Sequence, residues 1–78
     1  QDTGFNLSIL KSNKGQITNL KFEKPTILFS RIGRWEIIID DFQCILNPKD
    51  TVSIPVNSNV IIKINEKDDS YLNCVTQI

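Results

Sequence analysis

The 78-residue chain contains no histidine, no alanine and no methionine, and it has only three glycines and two cysteines. Histidine is the side chain that most often acts as a general base or binds a metal near neutral pH, so its absence removes the commonest catalytic and metal-binding arrangements. Nucleophilic catalysis would need a Ser–Lys, Thr or Cys–Lys arrangement, and no serine is framed as G-x-S-x-G. Glycines at 4, 15 and 33 are too scattered to build a phosphate-cradling loop. An excess of charge of one sign is also missing. Nine Lys and Arg balance nine Asp and Glu, leaving no net field to gather nucleic acid or an anionic membrane. No apolar run approaches the roughly 18 residues of a membrane-spanning helix. The sequence is read as a protein that is not an enzyme, holds no cofactor or metal, binds no nucleic acid and has no membrane span.

What is present points to strands. Alanine, the best helix former, is replaced by 22 Ile, Val and Thr residues, which suit a pleated, half-buried surface. The expected fold is all-β, in a single domain over 1–78, and a domain of this size buries only about 60% of its unfolded surface. The first residue is Gln1, which reads as either a processed mature chain or an excised domain.

Period-two alternation locates the strands. Phe5, Leu7 and Ile9 alternate with Asn6 and Ser8, predicting a strand with one buried face. Ser12-Asn13-Lys14-Gly15 predicts a turn, and Ile17 to Phe22 the second arm of a hairpin. The apolar positions shift from odd to even between Ile17 and Leu20, as a β-bulge would produce. Thr26 to Ser30 is continuously apolar at its centre and predicts a central strand buried on both faces. Trp35, Ile37 and Ile39 share one face, and Phe42, Cys44 and Leu46 continue the alternation. Asn47-Pro48-Lys49-Asp50 is turn chemistry, Val52 and Ile54 form a short strand ended by Pro55, and Asn57-Ser58-Asn59 is a bend. Val60, Ile62 and Ile64 follow, then a solvated turn from Glu66 to Asp69, then a last strand with Leu72 and Cys74 on one face. About eight short strands so spaced predict a small antiparallel sandwich or barrel, with a jelly-roll-like half-barrel among its forms.

Cys44 and Cys74 make one even pair, which in a small secreted domain reads as a disulfide. Two buried, reduced core thiols are the alternative. With the bridge comes the expectation of a secreted, periplasmic or extracellular location.

Carboxylate pairs at Asp40-Asp41 and Asp68-Asp69 fall at predicted turns, where solvated charge is ordinary. The oxygen donors Asn65, Glu66, Asp68, Asp69 and Ser70 lack the Asp-x-Asp-x-Asp-Gly order of a calcium loop. Basic residues gather in 1–39 and acidic ones in 40–78, which suits either association or compensation across one sheet. Arg31, Arg34 and Trp35 cluster around Gly33, and Arg and Trp are enriched in interface hot spots. The trio is the candidate partner surface, with Trp35 alternatively a core residue of its strand. Phe5, Leu7 and Ile9 are a second candidate, able to add a strand to a neighbour's sheet edge.

Residues 33–64 carry a Gly-x-x-Glu opening a strand, an Asp turn at 40 and 41, the Asn47-Pro48-Lys49-Asp50 turn and a strand ending at Ile54-Pro55. This run resembles the strand-and-turn pattern of cupin-like barrels. The resemblance implies a β-barrel fold and, because such modules serve as effector-binding parts of some bacterial regulators, a small-molecule sensing role. Every metal-binding histidine of the family is absent here, so no metal or oxygenase role is implied. The leading expectation is a non-enzymatic extracytoplasmic binding or assembly module whose β surface meets a protein partner or a second copy; a metal-free, degenerate cupin-like effector domain is the alternative.

Overall fold

Eight strands form where β-branched and aromatic residues alternate with polar ones, in a computed structural model that describes residues 4–12, 16–64 and 69–77. They are β1 (Phe5–Ser12), β2 (Ile17–Lys21), β3 (Thr26–Ile32), β4 (Trp35–Ile39), β5 (Phe42–Leu46), β6 (Thr51–Ile54), β7 (Asn59–Ile64) and β8 (Ser70–Gln77). Their pairing is nested and antiparallel around the Asp40-Asp41 turn: β4 with β5, β3 with β6, β2 with β7 and β1 with β8. Two further ladders, β3 with β8 and β4 with β7, close a front sheet ordered β1-β8-β3-β6 and a back sheet ordered β2-β7-β4-β5. This is the jelly-roll arrangement, which places two sheets face to face, so the all-β sandwich expectation holds. No helix among the described residues is long and apolar enough to cross a membrane.

Local chemistry fixes the tips of the nested hairpins. Asp40 takes φ 53°, a left-handed conformation that its short polar side chain tolerates. Its backbone N–H donates to the Asn59 carbonyl at 2.8 Å, and its Oδ1 accepts the Asn59 N–H at 3.1 Å. The carboxylate thus ties the innermost turn to the start of β7. Between β5 and β6, Asp50 N–H donates to the Asn47 carbonyl and Asn47 N–H to Asp50 Oδ2, both at 2.9 Å, with Lys49 at φ 78°.

The core lies between the sheets. Trp35, Ile37 and Ile39 of β4 meet Val60, Ile62 and Ile64 of β7 in register, and Leu28, Ile54, Leu72 and Cys74 of the front sheet are buried with them. Trp35 has no exposed surface, and its indole N–H donates to the Ile32 carbonyl at 3.2 Å, satisfying its one polar group. Thr26 Oγ1 donates to the Lys24 carbonyl at 3.0 Å and lies 3.3 Å from Thr76 Oγ1, so this buried hydroxyl has a partner.

Several local expectations are corrected. The β1–β2 hairpin does not form, because β1 pairs with β8 and β2 with β7 in different sheets; most of its expected turn, 13–15, lies outside the described residues. The odd-to-even shift at Ile17 is not a bulge, since β2 runs in unbroken register with β7 and Ile17 simply points outward, 61% exposed. The register shift occurs instead in β3, between Ser30 and Ile32. β3 is an interior strand of its sheet, as expected, but it is buried on one face only: Leu28 is covered and Ile27 is 46% exposed. Phe42 does not join the core, being 64% exposed beside the Asp40-Asp41 turn. No bridge joins Cys44 and Cys74. Both are free thiols, Cys44 half-buried in the edge strand of the back sheet and Cys74 buried inside the front sheet. The expectation of a secreted or periplasmic location rested on that bridge and loses its support.

Candidate binding surface

The outer face of the front sheet is built in rows. Antiparallel register aligns Leu7 of β1 with Val75 of β8, Ile27 of β3 and Ser53 of β6. The next row aligns Ile9, Asn73, Phe29 and Thr51, and the row beyond it Lys11, Tyr71 and Ile32. Phe5 opposes Gln77 at the other end. Since cross-strand partners share a face, these residues form one field, apolar apart from Ser53, Asn73 and Thr51 in its central rows and polar groups at its ends. Phe5, Leu7, Ile9, Ile27 and Ile32 are each between 46% and 62% exposed. Within the field, an apolar groove of about 300 Å³ lies between Phe5, Ile27, Val75 and Gln77. Asn73 sits between Ile9 and Phe29 with a buried Oδ1 that has no hydrogen-bond partner.

Phe5, Leu7 and Ile9, expected to face the core, face outward on this surface. Alternation alone shows that a strand has two unlike faces, not which of them the other sheet covers. Ile27, Phe29, Ile32 and Val75 belong to the same surface, a role that sequence reasoning did not assign to them. β3 read as doubly buried, and only the β1-β8-β3 order reveals the contiguous field.

The Arg31, Arg34 and Trp35 cluster is split by the fold. Both arginines are exposed, while Trp35 is sealed in the core and cannot meet a partner. Gly33 between them holds φ 99°, and a Cβ there would run into the Cβ and Oγ of Ser70, so glycine is required on two grounds. Ser30 Oγ donates to the Gly33 carbonyl at 2.7 Å. Together with the Trp35 indole bond to Ile32, this fastens the bend against the core.

The inward positions of the described strands carry apolar, hydroxyl and thiol side chains, with Asn6 at the end of β1 as an amide. Burial raises the pKa of both Cys74 and Cys44 above the usual thiol value, so neither is an activated nucleophile. No cluster of three or more His, Cys, Asp or Glu that could hold a metal exists among the described residues. The residues present therefore do not fit the metal that the barrel interior of cupins is built around. Most of the calcium-like set, 65–68, lies outside the described residues. Asp69 Oδ2 is ion-paired with Lys11 Nζ at 3.2 Å.

No protein-family model matches the chain, and no curated protein matches it at a significant level. Solved structures do match. A protein of Photorhabdus luminescens superposes with a TM-score of 0.85 at 16% identity over 96% of this chain. A cupin superfamily protein of Desulfitobacterium hafniense gives 0.82 at 20% over 100%, and a cupin protein of Bacteroides fragilis 0.81 at 20% over 97%. The chain spans 63%, 71% and 66% of those three proteins, respectively. At such identities the likeness establishes the fold, and the fold is cupin-like.

Proposed function

We propose that this chain is a non-catalytic cupin-fold module that assembles with a protein partner through the outer face of its front sheet. The carrying observation is the register that brings Phe5, Leu7, Ile9, Ile27 and Ile32 into one exposed apolar field, because contiguous exposed apolar surface of this kind marks interaction sites. Arg31 and Arg34, both exposed and close to Ile32 in the chain, add positive charge near one end of the field.

Sedimentation velocity and co-purification of wild type and of the Leu7→Lys/Ile27→Lys double variant test this reading. The wild type should travel as a complex that the double variant loses, while an Ile17→Lys/Ile45→Lys control on the back sheet keeps it. Wild type and front-face variant behaving alike as lone 8.9 kDa species would reject it.

The groove at Phe5, Ile27 and Val75 favours a second reading, a small-molecule effector domain on the same fold, since about 300 Å³ is at the lower limit of ligand pockets. Its test is the unfolding midpoint in the presence of small apolar acids and alcohols. A rise abolished by Ile27→Lys would favour it over the protein partner.

A further inference from the structure

Resting on the reading of the front sheet as an assembly surface, we propose that the partner is a second copy of this chain. The two copies would pair their β1 strands antiparallel about a two-fold axis at Leu7 and so join the front sheets into one eight-stranded sheet. β1 is an edge strand whose free side pairs with no described strand. At eight residues it is the longest of the four sheet edges; β2 and β5 have five and β6 has four. β-sheet proteins usually blunt such an edge with proline, charge or brevity. β6 is short and followed by Pro55, and β2 ends in Lys21, but β1 has no proline and no charge from Phe5 to Leu10.

The pattern along β1 is symmetric about Leu7, which selects the partner. Antiparallel pairing centred there sets Leu7 against Leu7 of the second copy, and Phe5 of each copy against Ile9 of the other. On the opposite face Asn6 meets Ser8. Apolar residues oppose apolar ones, polar oppose polar, and the two Lys11 side chains lie at opposite ends, so no like charges meet. The row Ile27, Val75, Leu7 then continues without a break into Leu7, Val75 and Ile27 of the second copy. The pairing unites the two apolar fields, and a chain of net charge zero adds no global repulsion.

Sedimentation equilibrium and oxidative cross-linking of the whole chain, with four single variants, test the pairing. Wild type should be a dimer. Leu7→Lys, a change at a 60% exposed position, places two ammonium groups face to face and should raise the dimer dissociation constant roughly tenfold or more. Residues directly opposed in an antiparallel ladder have Cα atoms about 4.5–5.5 Å apart, within disulfide reach. Leu7→Cys should therefore cross-link to itself under mild oxidation, with the joined peptide identified by mass spectrometry apart from Cys44 and Cys74. Ser8→Cys, displaced from the axis, should not. A monomer at all concentrations overturns the proposal, as does a dimer indifferent to Leu7→Lys. Loss of a different co-purifying protein in the Leu7→Lys/Ile27→Lys variant would leave the module reading standing without this partner. A dimer broken by Ile27→Lys but never cross-linked at Leu7 would do the same, because it would be packed face to face.

Discussion

The outer faces of the two sheets are made by the same chain, with the same pairing rules, and they differ in chemistry. On the back sheet, Ile17 aligns with Lys63, Glu36 and Ile45, and Asn19 with Ile61, Ile38 and Gln43. Charge and amide interrupt every row, and the Glu36 carboxylate accepts a hydrogen bond from the Gln43 amide. On the front sheet, the rows through Leu7 and Ile9 contain no ionisable side chain, and charge enters only at the Lys11 end. A sheet with one solvated face normally alternates apolar inside with polar outside. The back sheet follows that rule, whereas the two central rows of the front sheet interrupt their apolar residues only with the neutral Ser53, Asn73 and Thr51. Burial of the core explains the inner faces of both sheets and leaves the outer front face unexplained, which makes it the place to look for function.

The strongest way to probe this contrast is to damage what the sheets share. Trp35 fills the space between them with no exposed surface, so Trp35→Ala should cost about 3–5 kcal/mol. In a domain of this size that is enough to abolish a cooperative urea transition. A variant that keeps most of its stability would mean that the sheets are held together elsewhere. Gly33→Ala comes next. It combines a positive φ with a Cβ that collides with Ser70, and it should cost about 1–3 kcal/mol by the same measurement. Normal stability there would remove the Gly33 bend from the structural account.

Variants on the outer faces should separate stability from association. Leu7→Lys and Ile27→Lys should each change stability by less than about 1 kcal/mol, as surface substitutions usually do, yet weaken assembly roughly tenfold or more. Ile17→Lys and Ile45→Lys, at comparable exposure on the back sheet, should change neither. If both pairs abolish assembly, the difference between the faces has no functional content.

The two thiols give a null effect that is equally decisive. Denaturing, non-reducing titration should find two free thiols per chain, and reductant should leave the unfolding midpoint unchanged. Burial raises both thiol pKa values, so the reactive thiolate is scarce at neutral pH. Labelling of the folded protein should be slow, should quicken as pH rises, and should reach half-buried Cys44 before buried Cys74. A midpoint that falls on reduction would restore the bridge.

What the sequence disclosed follows from the range of each signal. Trp35, Ile37 and Ile39, and Val60, Ile62 and Ile64, were legible as core because their alternation is local and their outward neighbours are partly polar. The Asn47 and Asn57 turns were legible because proline and asparagine act within four residues. Pairing was not legible. A turn beside Gly15 suggests a hairpin by proximity, whereas the nested ladders join residues as distant as Phe5 and Gln77, where no local signal exists. The same limit hid the exposed apolar face, since Leu7, Val75 and Ile27 are neighbours only through β8. The disulfide expectation failed for a related reason: an even cysteine count carries no distance. Arg31 and Arg34 were correctly placed at the surface, but Trp35, adjacent in sequence, was drawn inside by its strand's periodicity.

The smallest effect concerns Lys11, the one charged side chain on the front rows among the described residues. Lys11 Nζ lies 3.2 Å from Asp69 Oδ2, with both side chains largely exposed. The hydrogen bond to Asp69 and its negative charge raise the Lys11 pKa above its ordinary 10.5. A cation whose pKa is raised by folding contributes its support fully below the unfolded value and loses it as pH climbs through the higher folded one. The pair is therefore intact across the neutral range and is lost in strong alkali as Lys11 gives up its proton. Asp69→Asn should return the Lys11 titration, followed by NMR of its side chain, toward 10.5 while leaving the unfolding midpoint unmoved, because an exposed pair contributes little to stability. The assembly proposed for β1 should also survive, since the two Lys11 side chains stand at opposite ends of the paired strands. Asp69→Asn dissociating the dimer would show that charge at the rim, not the apolar rows, holds the copies together, and the contrast between the two faces would have to be redrawn around Lys11.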